Sequence, residues 1–260
     1  MVLGNLEQGF YAEHVFPLFF VLGLALGSFG NVLLYRLPRG ESITGRSRCP
    51  SCSAPLRAVE LIPLLSFLLL RGKCRHCGVC IPLQYPLVEG GSALLFLLAL
   101  CRVPHPPDAL LLSVALWLLF VIALLDARTS TIPDVLSIPF VLIALATHAP
   151  VFFQELDLRA PLIVGAFFGL QWVISRGKWI GSGDLILGIG IAVLLRTWEL
   201  TLAALWFAYV IGGLVAFLLL FFHRVKRTST IPFAPFLAVA VFLVLLFEGY
   251  IKSTLSFIRM

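Results

Sequence analysis

The sequence predicts an all-α polytopic membrane protein, with about eight transmembrane helices and a small cytoplasmic domain between helices 1 and 2. Three observations predict it. Of 260 residues, 60% are apolar and only 12% charged, and the mean hydropathy is +1.03; that is too little polar surface to cover a water-soluble core. Eight apolar runs approach the length of a membrane span. The only sizeable polar stretch, 38–82, carries five of the six cysteines.

A span needs about twenty mostly apolar residues, because the hydrocarbon layer is roughly 30 Å thick and a helix rises about 1.5 Å per residue. The runs lie at 15–35, 83–103, 109–125, 134–149, 160–175, 184–195, 200–222 and 232–251. The first lacks a small-residue cleavage site and reads as a retained helix rather than a removed signal peptide. The run 61–70 is too short to span and suits an interfacial or re-entrant segment. The chain thus divides into a first helix over 1–37, a polar domain over 38–82 and a seven-helix membrane core over 83–260.

Basic residues set the orientation. With the amino terminus outside, fourteen of the nineteen Lys and Arg residues fall inside: the eight from Arg36 to Arg75, then Arg128, Arg176, Lys178, Arg224, Lys226 and Arg227. Only Arg102, Arg159, Arg196, Lys252 and Arg259 fall outside. The domain 38–82 is therefore cytoplasmic. The net charge of +6 follows from this placement and forms no basic patch, which argues against a nucleic-acid partner.

Four cysteines form two knuckles, Cys49-x2-Cys52 and Cys74-x2-Cys77, with twenty-one residues between them. Paired CxxC knuckles suit the tetrahedral four-thiolate preference of zinc, and a cytoplasmic loop disfavours stable disulfides. Four thiolates leave no open position for water, so the metal reads as structural. Cys77-x2-Cys80 is also a CxxC pair, and His76 is another potential ligand.

Ionisable groups in apolar segments cost several kcal/mol unless paired or hydrated. The third run, heading inward, ends at Leu124-Leu125-Asp126; the sixth, heading outward, begins at Gly181-Ser182-Gly183-Asp184. Topology puts both aspartates at the cytoplasmic edge, although fifty-eight positions separate them. Two carboxylates in one site hold a proton between them at neutral pH. One can then deprotonate water while the other polarises a peptide carbonyl. Asp184 and Asp134 also suit helix amino-terminal caps. Asp126, at a carboxyl end, does not. His14, His105 and His148 fall on or near the outer face and offer no competing serine–histidine arrangement.

The order of short motifs resembles the bacterial prepilin peptidases, membrane aspartic proteases with a GxGD signature. The resemblance runs through Gly27-Ser28-Phe29-Gly30-Asn31-Val32, Tyr35-Arg36-Leu37-Pro38, the knuckle cysteines, Glu60-Leu61-Ile62-Pro63 with Ser66, and Tyr85-Pro86-Leu87-Val88-Glu89. It continues through Leu125-Asp126, Ile132-Pro133-Asp134, GSGD at 181–184, and Pro232-Phe233-Ala234-Pro235-Phe236. It implies cleavage of the basic leader of type IV prepilins or type II secretion pseudopilins at the inner membrane, by the protease pair Asp126 and Asp184. It also implies metal ligation by Cys49, Cys52, Cys74 and Cys77, and methylation of the new amino terminus using S-adenosylmethionine. Asn31, Arg36, Glu60 and Glu89 could serve that second activity or substrate binding, and equally helix packing or loop anchoring. The chain departs from the family at Ile186, where lysine is usual, and at Gly30 and Ala234, which replace Leu and Gly.

Two other readings use the same residues. A transporter could run an ion path along Asp126, Asp134 and Asp184, but would favour ionisable groups near the midplane rather than at one edge. A non-catalytic scaffold built on the metal knuckle would tolerate loss of both aspartates.

Overall fold

The structure, a computed structural model, describes residues 11–147, 157–224 and 230–258. His148, Lys226, Arg227 and Arg259, and the end of the predicted 134–149 run, lie outside the described residues. Eight apolar helices carry the fold: α1 (Phe16–Arg36), α2 (Gln84–Arg102), α3 (Pro106–Thr129), α4 (Asp134–Ala146), α5 (Arg159–Ser175), α6 (Ser182–Leu195), α7 (Trp198–Phe221) and α8 (Ala234–Ile258). Among the described residues there is no strand, only isolated bridges. Among the described residues five helices are long and apolar enough to cross a membrane, namely α1, α2, α3, α7 and α8; α4, α5 and α6 are shorter. Large apolar side chains stand outward as well as inward, including Leu18, Leu94, Leu162, Trp206 and Phe217. Water would not tolerate such a surface, and a bilayer requires it.

The chain forms two compact units, Met1–Trp117 and Leu118–Met260, with the boundary inside α3. In the first, α1 packs against α2 through glycine. A Cβ on Gly23 would sit 2.6 Å from Ala93 Cα, and one on Gly27 would sit 2.6 Å from Glu89 Cα. The four-residue spacing puts both glycines on one helix face, so the two backbones touch directly. Close backbone approach through small residues is the usual adhesive between helices in lipid, where the solvent gives no hydrophobic push. Asn31, buried on the same helix, donates to the Tyr85 carbonyl at 3.1 Å and accepts from Gln84 Nε2 at 3.2 Å, tying α1 to the start of α2.

Between these helices the loop makes the same turn twice. The Cys49 amide donates to the Ala54 carbonyl at 2.9 Å, and the Cys74 amide to the Val79 carbonyl at 2.8 Å. The residue after each second cysteine, Ser53 or Gly78, has positive φ, and an antiparallel bridge closes each turn. Of the run 61–70, only Leu65–Leu69 is α-helical. Leu64 just before it has φ 58, and its amide donates to the Glu89 carboxylate at 2.8 Å.

In the second unit α6 lies against α4 and α5. Gly188 meets the Phe168 ring and Val164 of α5, and Gly190 meets the Phe140 ring of α4. Phe140, Phe168 and Leu187 are fully buried there.

Gly27→Val should be severely disruptive, because the neighbour it meets is backbone and cannot swing aside. We expect a loss of about 1–3 kcal/mol, the usual range for overpacking, read as a lower melting temperature in detergent. The same substitution at Gly213, which has open space around it, should cost less.

Candidate functional site

Asp126 lies one turn before the end of α3, because that helix runs to Thr129 rather than stopping at 125. Asp126 as a whole is 4% exposed. Oδ2 accepts the Ala234 amide at 3.0 Å, and the Phe233 amide adds to this. The Ala234 amide is the first of α8 and would otherwise lack a partner; that of Phe233 immediately precedes it. From sequence, Asp126 had no helix end to cap; in the structure it caps a different helix, 108 positions away. Use of a backbone amide also explains why alanine serves at 234 where glycine is more usual.

Asp184 sits in the first turn of α6, and its Oδ2 accepts the Gly181 amide at 3.2 Å. The turn that presents it is pressed against the segment following Asp126. A Cβ on Gly183 would lie 2.8 Å from the Ile132 Cβ. The GSGD turn and the Ile132-Pro133-Asp134 strap therefore meet, and Asp184 feels the charge of Asp126. Asp134 is exposed at the start of α4. Ile186 is half-buried, one turn or less along α6 from Asp184.

Two neighbours were not singled out in the sequence. The Tyr209 ring of α7 packs on Phe233 with centroids 5.0 Å apart. Its hydroxyl accepts from Gln171 Nε2 of α5 at 3.4 Å and lies within electrostatic reach of Asp184. A polar group inside an apolar run was the signal used for the aspartates, and it applies equally to Gln171 in 160–175 and Tyr209 in 200–222. The arrangement is two carboxylates at helix ends in apolar surroundings, each with an oxygen fixed by a backbone amide. Such a pair can pass a proton between water and a bound carbonyl.

The first unit holds a different chemistry. The Sγ atoms of Cys49, Cys52, Cys74 and Cys77 all lie within 4.8 Å of one another, with Cys49 and Cys77 at 4.0 Å. A tetrahedral ion with metal–sulfur bonds of about 2.3 Å spaces its sulfurs about 3.8 Å apart, so the group could hold a metal ion. Neither Cys80 nor His76 belongs to the cluster among the described residues. Amides of the knuckle, chiefly that of Cys52, bring the Cys49 thiol down to about 7, which favours the thiolate a metal requires. Against the Val79 amide, burial and the neighbouring sulfurs push Cys77 up to about 11, so without an ion the four sulfurs share their protons unequally.

Beside the knuckles is a cavity of about 630 Å³ whose walls include Asn31, Arg36, Glu60, Glu89, Cys49 and Cys74. Arg36 is committed to shaping it: its guanidinium donates to the carbonyls of Ser42, Thr44 and Arg46 at 3.0, 2.7 and 3.2 Å. Asn31 and Glu89 are likewise engaged as anchors, as described above. The size suits a small-molecule ligand.

Residues 21–103 match the model of the Bacterial Peptidase A24 N-terminal domain, and residues 113–217 that of the Type IV leader peptidase family. A protein of Burkholderia pseudomallei is 33% identical over 254 residues, covering 84% of this chain and 81% of the other. One from Pseudomonas aeruginosa is 29% identical over 283 residues, covering 94% and 96%. One from Myxococcus xanthus is 36% identical over 221 residues; that match takes in 81% of this chain but 65% of the relative. Each is named prepilin leader peptidase/N-methyltransferase. No solved structure matches the chain.

Purified protein should carry one metal ion per chain. Replacing Cys49 and Cys74 together by serine should remove it, as elemental analysis would measure. Stoichiometric metal in that variant would disprove ligation by the cluster.

Proposed function

The chain belongs to the type IV leader peptidase family, and on that premise we propose that it is a membrane aspartic endopeptidase and N-methyltransferase acting on prepilins or pseudopilins. It removes the basic leader at the cytoplasmic face of the bacterial inner membrane and then methylates the exposed amine. The observation that carries the peptidase reading is the contact of the GSGD turn with the Ile132 strap, at a point where Asp184 feels Asp126.

In this reading Asp126 and Asp184 hold one proton between them. One carboxylate takes a proton from water as it attacks the scissile carbonyl, while the other donates to the carbonyl oxygen and later to the leaving amine. The amides of Ala234 and Gly181 hold the two carboxylates in place, so little reorganisation is needed when the substrate arrives. A prepilin joins a basic leader to an apolar helix, so its junction lies at the inner membrane edge. That is where basic-residue placement sets both aspartates. The same placement puts the amino terminus outside. Helices α4, α5 and α6 then complete eight spans, despite their length. The segment 38–82 forms the zinc-binding domain, and 83–260 the protease core.

Zinc is the ion best suited to four thiolates in this spacing, with Cys49, Cys52, Cys74 and Cys77 as ligands. The relatives' names imply a methyl donor, S-adenosylmethionine, which supplies an electrophilic methyl group. The cavity beside the knuckles fits such a group by its volume and by carboxylates suited to a cationic sulfonium. Because Cys49 and Cys74 form part of its wall, loss of the metal should deform it.

Asp126→Asn and Asp184→Asn should each lower prepilin cleavage by about 10²–10⁴-fold, read by intact mass of a co-expressed prepilin. Asparagine keeps an oxygen for the capped amide, so folding should survive. Asp134→Asn should be milder. Normal cleavage by either dyad variant would refute the assignment. Replacing the knuckle cysteines should reduce methylation, seen as cleaved pilin lacking the added methyl mass.

A further inference from the structure

Within the cavity of the first unit, one carboxylate has no structural partner for one of its oxygens. Glu60 ends the first turn after Arg57, and its Oε2 accepts the Arg57 amide at 2.7 Å, which fixes the side chain. Its Oε1 is buried and has no hydrogen-bond partner. Folding leaves few such oxygens, because an unpaired buried acceptor is costly, and a carboxylate more so. The other groups around it do not relieve it. Glu89 is committed to the Leu64 amide, and Arg36 to three carbonyls. No ion pair engages Glu60 among the described residues. The charged residues on the cavity wall are otherwise Glu41, Arg46, Arg48 and Arg75.

An amine newly released by peptide cleavage is an ammonium at neutral pH, with an ordinary pKa of about 8. It cannot attack carbon until it sheds a proton, so methyl transfer needs a buried anionic acceptor close to the reacting nitrogen. We propose that Glu60 is that group: its carboxylate binds the α-ammonium of the cleaved substrate and takes one proton from it. This rests on the methyl-transfer reading above and adds to it the residue that activates the acceptor. The freed nitrogen lone pair forms the bond to the methyl carbon as the carbon–sulfur bond breaks, its electron pair staying on sulfur. The sulfonium charge passes to the methylated nitrogen, and the proton on Glu60 returns to water. No oxidant or further reactant is required.

The first test needs no methyl donor. A peptide with the free α-amine of a cleaved prepilin, and its Nα-acetyl twin, would be titrated onto the full chain in detergent. Wild type should prefer the free amine by about tenfold, as expected for a charge-assisted hydrogen bond. Glu60→Gln, which keeps an acceptor for the Arg57 amide, should lose that preference while binding the acetyl peptide unchanged. With S-adenosylmethionine added, Glu60→Gln should methylate about 10²–10⁴-fold more slowly at pH 7. It should recover as pH rises past the amine's own pKa of about 8. Metal content and melting temperature report folding, and Glu60→Asp, which retains the charge, should keep part of the preference. A Glu60→Gln variant with wild-type preference or wild-type methylation at pH 7 would overturn the role of Glu60. A wild-type protein that neither binds nor methylates the free amine would instead refute the methyl-transfer reading itself.

Discussion

In hydrocarbon the interior of a helix is cheap and its ends are not, because the terminal amides and carbonyls have neither water nor a helical partner. The second unit is organised around this constraint. Helix α8 opens at Phe233 and Ala234, neither of which has a side chain able to cap it, and the missing acceptor comes from Asp126 on α3. Helix α6 opens at a glycine-rich turn and receives its acceptor from its own Asp184. Each aspartate thereby answers two problems at once: the amide gains an acceptor, and the carboxylate gains a donor in surroundings that would otherwise expel it. A capping role and a catalytic role are often treated as rival explanations of such a residue. Here capping occupies one oxygen of each carboxyl group, so the capping role does not exclude the proposed catalytic one.

The glycines act on the same scale. Gly183 matters because the strap carrying Ile132 passes too close for any side chain. Gly188 and Gly190 let the rings of Phe168 and Phe140 press onto α6 from two sides. A short helix with only fourteen residues gains its rigidity from these contacts rather than from length. Tyr209 extends the arrangement, since its ring supports Phe233 and its hydroxyl accepts from Gln171 of α5.

The first unit solves a different problem. A polar loop of this size has too little apolar surface to fold by burial alone. It is shaped by knuckle turns repeated with the same hydrogen bonds, which gather four cysteine sulfurs, and by Glu89 reaching from α2 to the strained backbone at Leu64. The guanidinium of Arg36 collects three loop carbonyls in the manner of a fixed fork. What remains after these commitments is a cavity on whose wall Glu60 keeps a buried oxygen without a hydrogen-bond partner, and chemistry is the natural account of a polar group that structure leaves unused.

Composition and hydropathy by themselves pointed to the all-helical membrane class and to where each apolar helix begins, because spanning segments answer to a solvent rather than to particular neighbours; the last helix runs on to Ile258, past the predicted 251. Spacing alone determined the grouping of four cysteines, since the turn that carries a CxxC pair is local. Cys77-x2-Cys80 offered a second pairing, but the Sγ atoms that gather in the fold are those of Cys49, Cys52, Cys74 and Cys77. The approach of Asp126 to Asp184 was legible only as a shared membrane edge, and their contact network was not legible at all. That Asp126 caps α8, that Ile132 closes on Gly183, and that Tyr209 packs on Phe233 all depend on side chains far apart in the chain. No local pattern encodes such meetings; packing decides them, because each requires two separately stable helices to arrive in one register.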